Sequence, residues 1–290
     1  MMRKSEKRAG LLLSVFFSFF VVSVSIAKVE TIIGDVNLKK NPNIAINPPT
    51  TNESEIIISR NQYVISYNKK RRNPNWVAWR VDNTELGNVG RTDKFTADSD
   101  LEKYLLKDGP GEHAVKPREY FGSCYDRGHQ TPSADRSETT QDNEATFMMS
   151  NMLPQTPYLN RVVWMHLEQH TRDLVHKEGK IAYIVAGPIY DQDFGKIGPN
   201  NDIQVPSKNF KVIVLLDQGQ TPADITDQTE TIAVIMPNLL EDGSRPDQNQ
   251  DALCKSSAED QRGGRSNDWE QYKSTVADIQ KLSGVTLFPK

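Results

Sequence analysis

Short runs of β-branched and aromatic residues recur along the chain at 56–58, 63–67, 76–81, 145–150, 180–186, 210–216 and 231–236, each bounded by Gly, Pro, Asn or Asp. Runs of that length with those boundaries predict strands of an antiparallel or mixed sheet. A longer stretch over 160–176, between Pro157 and Gly179, carries Val163, Leu167 and Leu174 at helical spacing. A second helix is predicted from Asn267, where Glu270 three residues on completes a capping box. Trp269, Tyr272, Val276 and Ile279 continue its apolar stripe as core packing, and Gly284 ends it. No internal repeat appears. The pattern therefore predicts one α+β domain over 55–290, a central mixed or antiparallel sheet with flanking helices. Residues 28–54, rich in Asn, Pro, Thr and Ile without a sustained period, read as an exposed leader with a short strand at 30–33.

The first residues have a different pattern. Arg3, Lys4, Lys7 and Arg8 precede an apolar run from 11 to 26, followed by the small residues of Ser25-Ile26-Ala27. This predicts a signal peptide over 1–27 and a secreted or periplasmic protein with no stable membrane association after cleavage. A retained anchor is the alternative, since the run lies near the short end of a spanning helix. Cleavage removes four basic groups and one acid, so the formal charge moves from -3 to about -6. A polyanion would then be met only through locally concentrated Lys and Arg. Lys69-Lys70-Arg71-Arg72 is one such concentration, read more simply as a solvated turn. The chain has two cysteines, Cys124 and Cys254, too few for a thiolate metal site but enough for one disulfide in an oxidising compartment.

The candidate chemistry lies in two places. In the 160–176 stretch, His166 and His170 share a helix face, but the acid of HLEQH, Glu168, sits about 200° away from both. A zinc hydrolase built on that pair is therefore the weaker reading. Asn160, Glu168 and Arg172, at spacings of eight and four, fall on one face and offer an oxygen ligand, a carboxylate and a guanidinium. Oxygen donors suit a hard cation such as Mg²⁺. A Glu-Arg surface pair is the plain alternative. The second place is the loop CYDRGHQTP at 124–132, where His129 is a natural base for water near neutral pH. Phosphodiester hydrolysis needs a base, a cation at the leaving group and guanidinium donors on the phosphate. His129, Asn160 and the pair Arg127 and Arg172 offer one of each.

CYDRGHQTP followed by SNMLPQTPYLNRVVWMHLEQHTR resembles the active-site region of the DNA/RNA non-specific endonucleases, the ββα-metal family that includes secreted bacterial nucleases and endonuclease G. The likeness extends through YVISYNKKRRNPNWVAW, AGPIYDQDFGKIG and VPSKNFKVIV, over roughly 55–289. It implies an endonuclease acting on DNA and RNA, with Mg²⁺ as cofactor and Mn²⁺ as a substitute. It implies His129 as general base, Asn160 as the direct metal ligand and Glu168 as holder of a metal-bound water. Arg127 and Arg172 would contact phosphate, as would Arg91 in GRTDKF, with Arg80 as a nearby competitor for that role. Asn151 would shape the site and contact substrate, Asp126 would fix the loop, and Gly128 would let the chain turn tightly. A disulfide at Cys124 would tether this loop to the Cys254 segment. A nuclease-like fold kept as a non-catalytic nucleic-acid-binding module is the other class of reading, and a homodimer is left open.

Overall fold

The computed structural model describes residues 29–109, 111–246 and 267–288; Cys254 and the segment over 1–27 lie outside them. Its strands are β1 (Val29–Gly34), β2 (Thr50–Thr51), β3 (Glu55–Ser59), β4 (Val64–Asn68), β5 (Asn73–Val81), β6 (Asp126–His129), β7 (Met152–Gln155), β8 (Ile181–Ile189), β9 (Lys196–Ile197), β10 (Ile203–Gln204), β11 (Lys208–Leu216), β12 (Thr231–Pro237) and β13 (Val285–Thr286). Seven of them form one sheet in the order β1-β3-β4-β5-β8-β11-β12. Every neighbouring pair is antiparallel except β1 on β3, so the sheet is mixed.

The central strands are buried along almost their whole length, which is why NPNWVAWRV, IAYIVAGPI and KNFKVIVLL lack a clean polar alternation. Both sheet faces are covered. On one, Ile58, Ile65, Trp79, Ile184 and Ile213 pack under helix α1 (Ser99–Asp108) and helix α3 (Trp164–Glu178) through Leu101, Leu105, Trp164, Leu167 and Leu174. On the other, Trp76, Val185, Phe210 and Val212 meet Ile279 of α4 (Val276–Ser283) and Leu287. A short helix α2 (Thr140–Ala145) is capped by Thr139, whose hydroxyl accepts from the Asp142 amide.

Four predicted features come out differently. Residues 29–51 are part of the fold rather than an exposed leader. β1 adds a parallel edge strand, β2 pairs with β13, and Asn41 and Asn43 are buried with their side chains bonded to Ser59, Arg60 and Asn61. Buried amides fully satisfied by backbone and side-chain partners tie a polar stretch into a core without apolar periodicity. The 145–150 run is no strand but the end of α2 and a turn, whose Phe147 is fully buried. The C-terminal helix is two pieces, a 3-10 turn over Asp268–Tyr272 and then α4. Asn267 makes no side-chain cap; Thr275 caps α4 instead, accepting from the Asp278 amide at 3.0 Å. Glycines Gly179 and Gly284 end α3 and α4 in the left-handed conformation.

Candidate active site

β6 and β7 form an antiparallel pair in which His129 faces Met152 and Asp126 faces Gln155. The next element is a wide π turn, Leu159–Val163, that runs directly into α3. This is a strand-strand-helix unit. Asp126 closes it: its carboxylate takes a two-bond clamp from Arg161 at 2.8 and 2.7 Å and the Asn160 amide at 2.9 Å. The loop-fixing role expected of Asp126 matches that geometry. Arg161 was not singled out in the sequence, and no local pattern marks it. The clamp leaves the Asn160 carboxamide oxygen without a hydrogen-bond partner among the described residues.

A groove of about 930 Å³ runs over this unit, and Arg91, Arg127, His129, Asn160, Glu168 and Arg172 all line it. Arg127 and His129, two residues apart, share a face of β6. The His129 ring packs edge-on against Phe147 and Phe95, with centroids 4.8 and 5.6 Å away. Burial in that aromatic box holds its pKa well below the usual value, and Arg91 and Arg127 push it the same way. The imidazole is therefore neutral near pH 7. Arg127 stacks over Phe95 at 3.8 Å and Arg91 over Phe147 at 4.9 Å. Arg80 pairs instead with Asp82 and Glu85 and does not line the groove, so Arg91 is the guanidinium placed there.

Behind the groove, Glu168 faces Lys211 of β11 at 3.5 Å, and Arg172 bonds Asp135 at 3.0 Å. Asp135 also accepts the Trp79 indole N–H at 2.9 Å. Lys211 is almost wholly buried, its ammonium 4.0 Å from the Trp164 ring centroid. Burial pushes the Glu168 carboxyl up and the Lys211 ammonium down, and each opposes the shift of the other. The signal for Lys211 was present in the sequence as the one cation inside the apolar run FKVIVLL.

Several assignments are corrected. Asn151 is fully buried and spends its amide on Thr131 and Thr146, pinning the chain between β6 and β7 rather than reaching the groove. Gly128 makes no turn; it lies within β6, where a Cβ would sit 2.0 Å from the Gln155 Oε1 atom. His166 bonds Asp268 at 3.0 Å while His170 lies against Trp269, so the two rings serve different neighbours. Of the basic run, Lys69, Arg71 and Arg72 are ion-paired, to Asp108, Glu53 and Glu119 respectively. Cys124 is disulfide-bonded, and its expected partner Cys254 lies outside the described residues.

A model of the DNA/RNA non-specific endonucleases matches residues 40–290. The chain belongs to that family. It is accordingly an enzyme, a phosphodiester hydrolase. The match begins within the segment read as a leader, in keeping with the buried Asn41 and Asn43. A nuclease of Nostoc sp. is 39% identical over 84% of this chain and 77% of its own length. Human mitochondrial endonuclease G is 30% identical, over 65% of this chain and 62% of its own. The nuclease of Serratia marcescens is 30% identical over 61% and 65%. In fold, the chain superposes on a protein of the EndoG/EndoGI complex with a TM-score of 0.58, covering 80% of this chain and 85% of that one at 23% identity.

Proposed function

We propose that this family member is an exported, Mg²⁺-dependent endonuclease that cuts DNA and RNA without reading sequence. The observation that carries the reading is the convergence of His129 and Asn160, from strand and helix, on one groove together with Glu168 and three arginines. The donors suit the ion: one carboxamide oxygen, freed because its nitrogen is committed to Asp126, and one nearby carboxylate. Asn160 would hold Mg²⁺ directly and Glu168 through a water, the sparse oxygen set this cation accepts. When bound, the ion supplies charge stabilisation at the leaving sugar oxygen. His129, neutral and in the groove, takes a proton from the attacking water as the new phosphorus–oxygen bond forms and the bond to the leaving sugar oxygen breaks, its electron pair staying on that oxygen. Arg127, Arg172 and Arg91 present guanidinium donors to the phosphate oxygens, where charge builds. These contacts read backbone and not base edges, so sequence preference is weak. The basic and apolar pattern of the first residues supports export, as does the disulfide at Cys124. No helix among the described residues is long and apolar enough to cross a membrane.

Incubation of the purified protein with plasmid DNA and with RNA, with and without EDTA, tests the reading. Cutting of both that stops with EDTA is expected. His129→Ala is expected to lose at least 100-fold in rate, the span general-base catalysis supplies. Undiminished cutting by that variant removes the base assignment, and an unchanged Mg²⁺ response in Asn160→Ala removes the ligand assignment.

A further inference from the structure

Four large apolar side chains are exposed among the described residues, and the most exposed is the sole aromatic, Phe121, at 77%. Leaving a phenyl ring in water forgoes a large burial gain, and what sets this one apart is its position on the wall of the groove. Phe121 lies on the short segment leading into β6, and it lines two cavities at once. One is the groove holding His129 and Asn160; the other, of about 580 Å³, continues past Phe121 to a wall formed by Arg118 and Lys196.

The charge along this path is unbalanced. Arg118, Lys196 and Arg127 have no carboxylate partner within ion-pair distance among the described residues, whereas the 69–72 turn is largely neutralised by acids. The one carboxylate on the second cavity's wall, Glu119, is buried and already paired with Arg72 at 2.8 Å. In a chain of net charge -3, unpaired cations strung along one path make a local anion site.

The backbone that carries the ring is held in place. The Phe121 amide bonds the Arg118 carbonyl at 3.1 Å, and the Ser123 hydroxyl bonds the Tyr120 carbonyl at 2.7 Å. Gly122 and Cys124 both adopt left-handed backbone angles, φ 73° and 61°, and Cys124 is disulfide-bonded. A ring mounted on a fixed backbone has only its own side-chain rotations to give up on meeting a ligand.

We infer that Phe121, flanked by Arg118 and Lys196, is a stacking subsite for an unpaired nucleobase of the substrate strand, one step along the groove from the scissile phosphate. The inference rests on the nuclease reading above. It adds a grip on the base face, which every base shares, so it strengthens binding without specifying sequence. A base held flat on Phe121 must be free of its duplex stack, which biases the enzyme toward single-stranded or frayed nucleic acid.

The test uses the full chain carrying His129→Ala, so that binding is read without cutting. The probe is a single-stranded oligonucleotide of about twelve nucleotides, within the site sizes of such proteins, with 2-aminopurine at successive positions. Stacking on Phe121 is expected to change the fluorescence of one position, Phe121→Ala to abolish that change and weaken binding about tenfold, and Phe121→Tyr to restore both. Arg118→Ala with Lys196→Ala is expected to flatten the dependence of affinity on salt. Equal affinity and equal fluorescence response with Phe121→Ala overturn the subsite, as does an identical loss on fully paired duplex. Cutting of DNA and RNA by the unsubstituted protein is scored separately: its failure sinks the nuclease reading, whereas its success with an inert Phe121 sinks the subsite alone.

Discussion

At His129, burial and two guanidinium neighbours act in one direction, and the sign of the pH response follows. The folded pKa is depressed, so the neutral base persists below the pH where an ordinary histidine would be half charged, about 6.5. The acid limb of kcat/KM is expected to lie below that value, and Arg91→Ala should move it upward by removing one source of the depression. An acid limb that stays put in Arg91→Ala would separate the two residues. The same shift opposes folding in acid. The unfolded chain binds its proton from about pH 6.5 downward while the folded ring does not, so stability falls as pH drops through that range. Next to it, Gly128 is required by approach rather than by turning. Gly128→Ala pushes a methyl into the Gln155 side chain, and overpacking of this kind costs about 1–3 kcal/mol. Denaturant unfolding should show that loss, and Gln155→Ala in the same chain should return most of it.

At the scale of elements, the site is a strand pair and a helix joined by Asp126 and backed by β11 through Lys211. Lys211→Met leaves Glu168 opposite a thioether, and breaking one side of a buried pair costs about 3–5 kcal/mol. Adding Glu168→Gln should recover stability but not turnover, which separates the carboxylate's place in the groove from its place in the core. The pairing of Glu168 with Arg172 on one face of α3 was legible because helical spacing fixes it whatever surrounds it, whereas Asn160 reaches the groove from the π turn before α3. The hairpin was legible only through the letters of its motif, since β6 and β7 are four residues each and too short to show a period. α1 carried readable marks, Asp98 as cap and Leu101 and Leu105 one turn apart, yet it lies in a charged stretch where strand-like runs drew no contrast. The 145–150 run misled because burial of Phe147 beside His129 needs apolar residues in a turn, and composition alone cannot tell a buried turn from a buried strand. Arg161, Phe95 and Lys211 became functional neighbours only through contacts distant in sequence.

Across the whole molecule, the sheet order explains why the amino-terminal segment belongs to the enzyme. A chain beginning at Glu55 would lose the parallel edge strand beside β3 and the Asn43 amide oxygen that accepts from the Arg80 backbone and the Arg136 guanidinium. Such a truncation is expected to unfold at markedly lower temperature than a chain beginning at Lys28, and equal melting points would show the segment to be dispensable. The double attachment of Asp135, to Trp79 in the middle of the sheet and to Arg172 in the groove, reaches further. A groove wall bolted to a central strand has no soft hinge of its own. On heating, catalytic power and the near-ultraviolet dichroism of the tryptophans should vanish over one shared temperature interval, and an enzyme that went silent well before its aromatic signal faded would reveal a looser mounting.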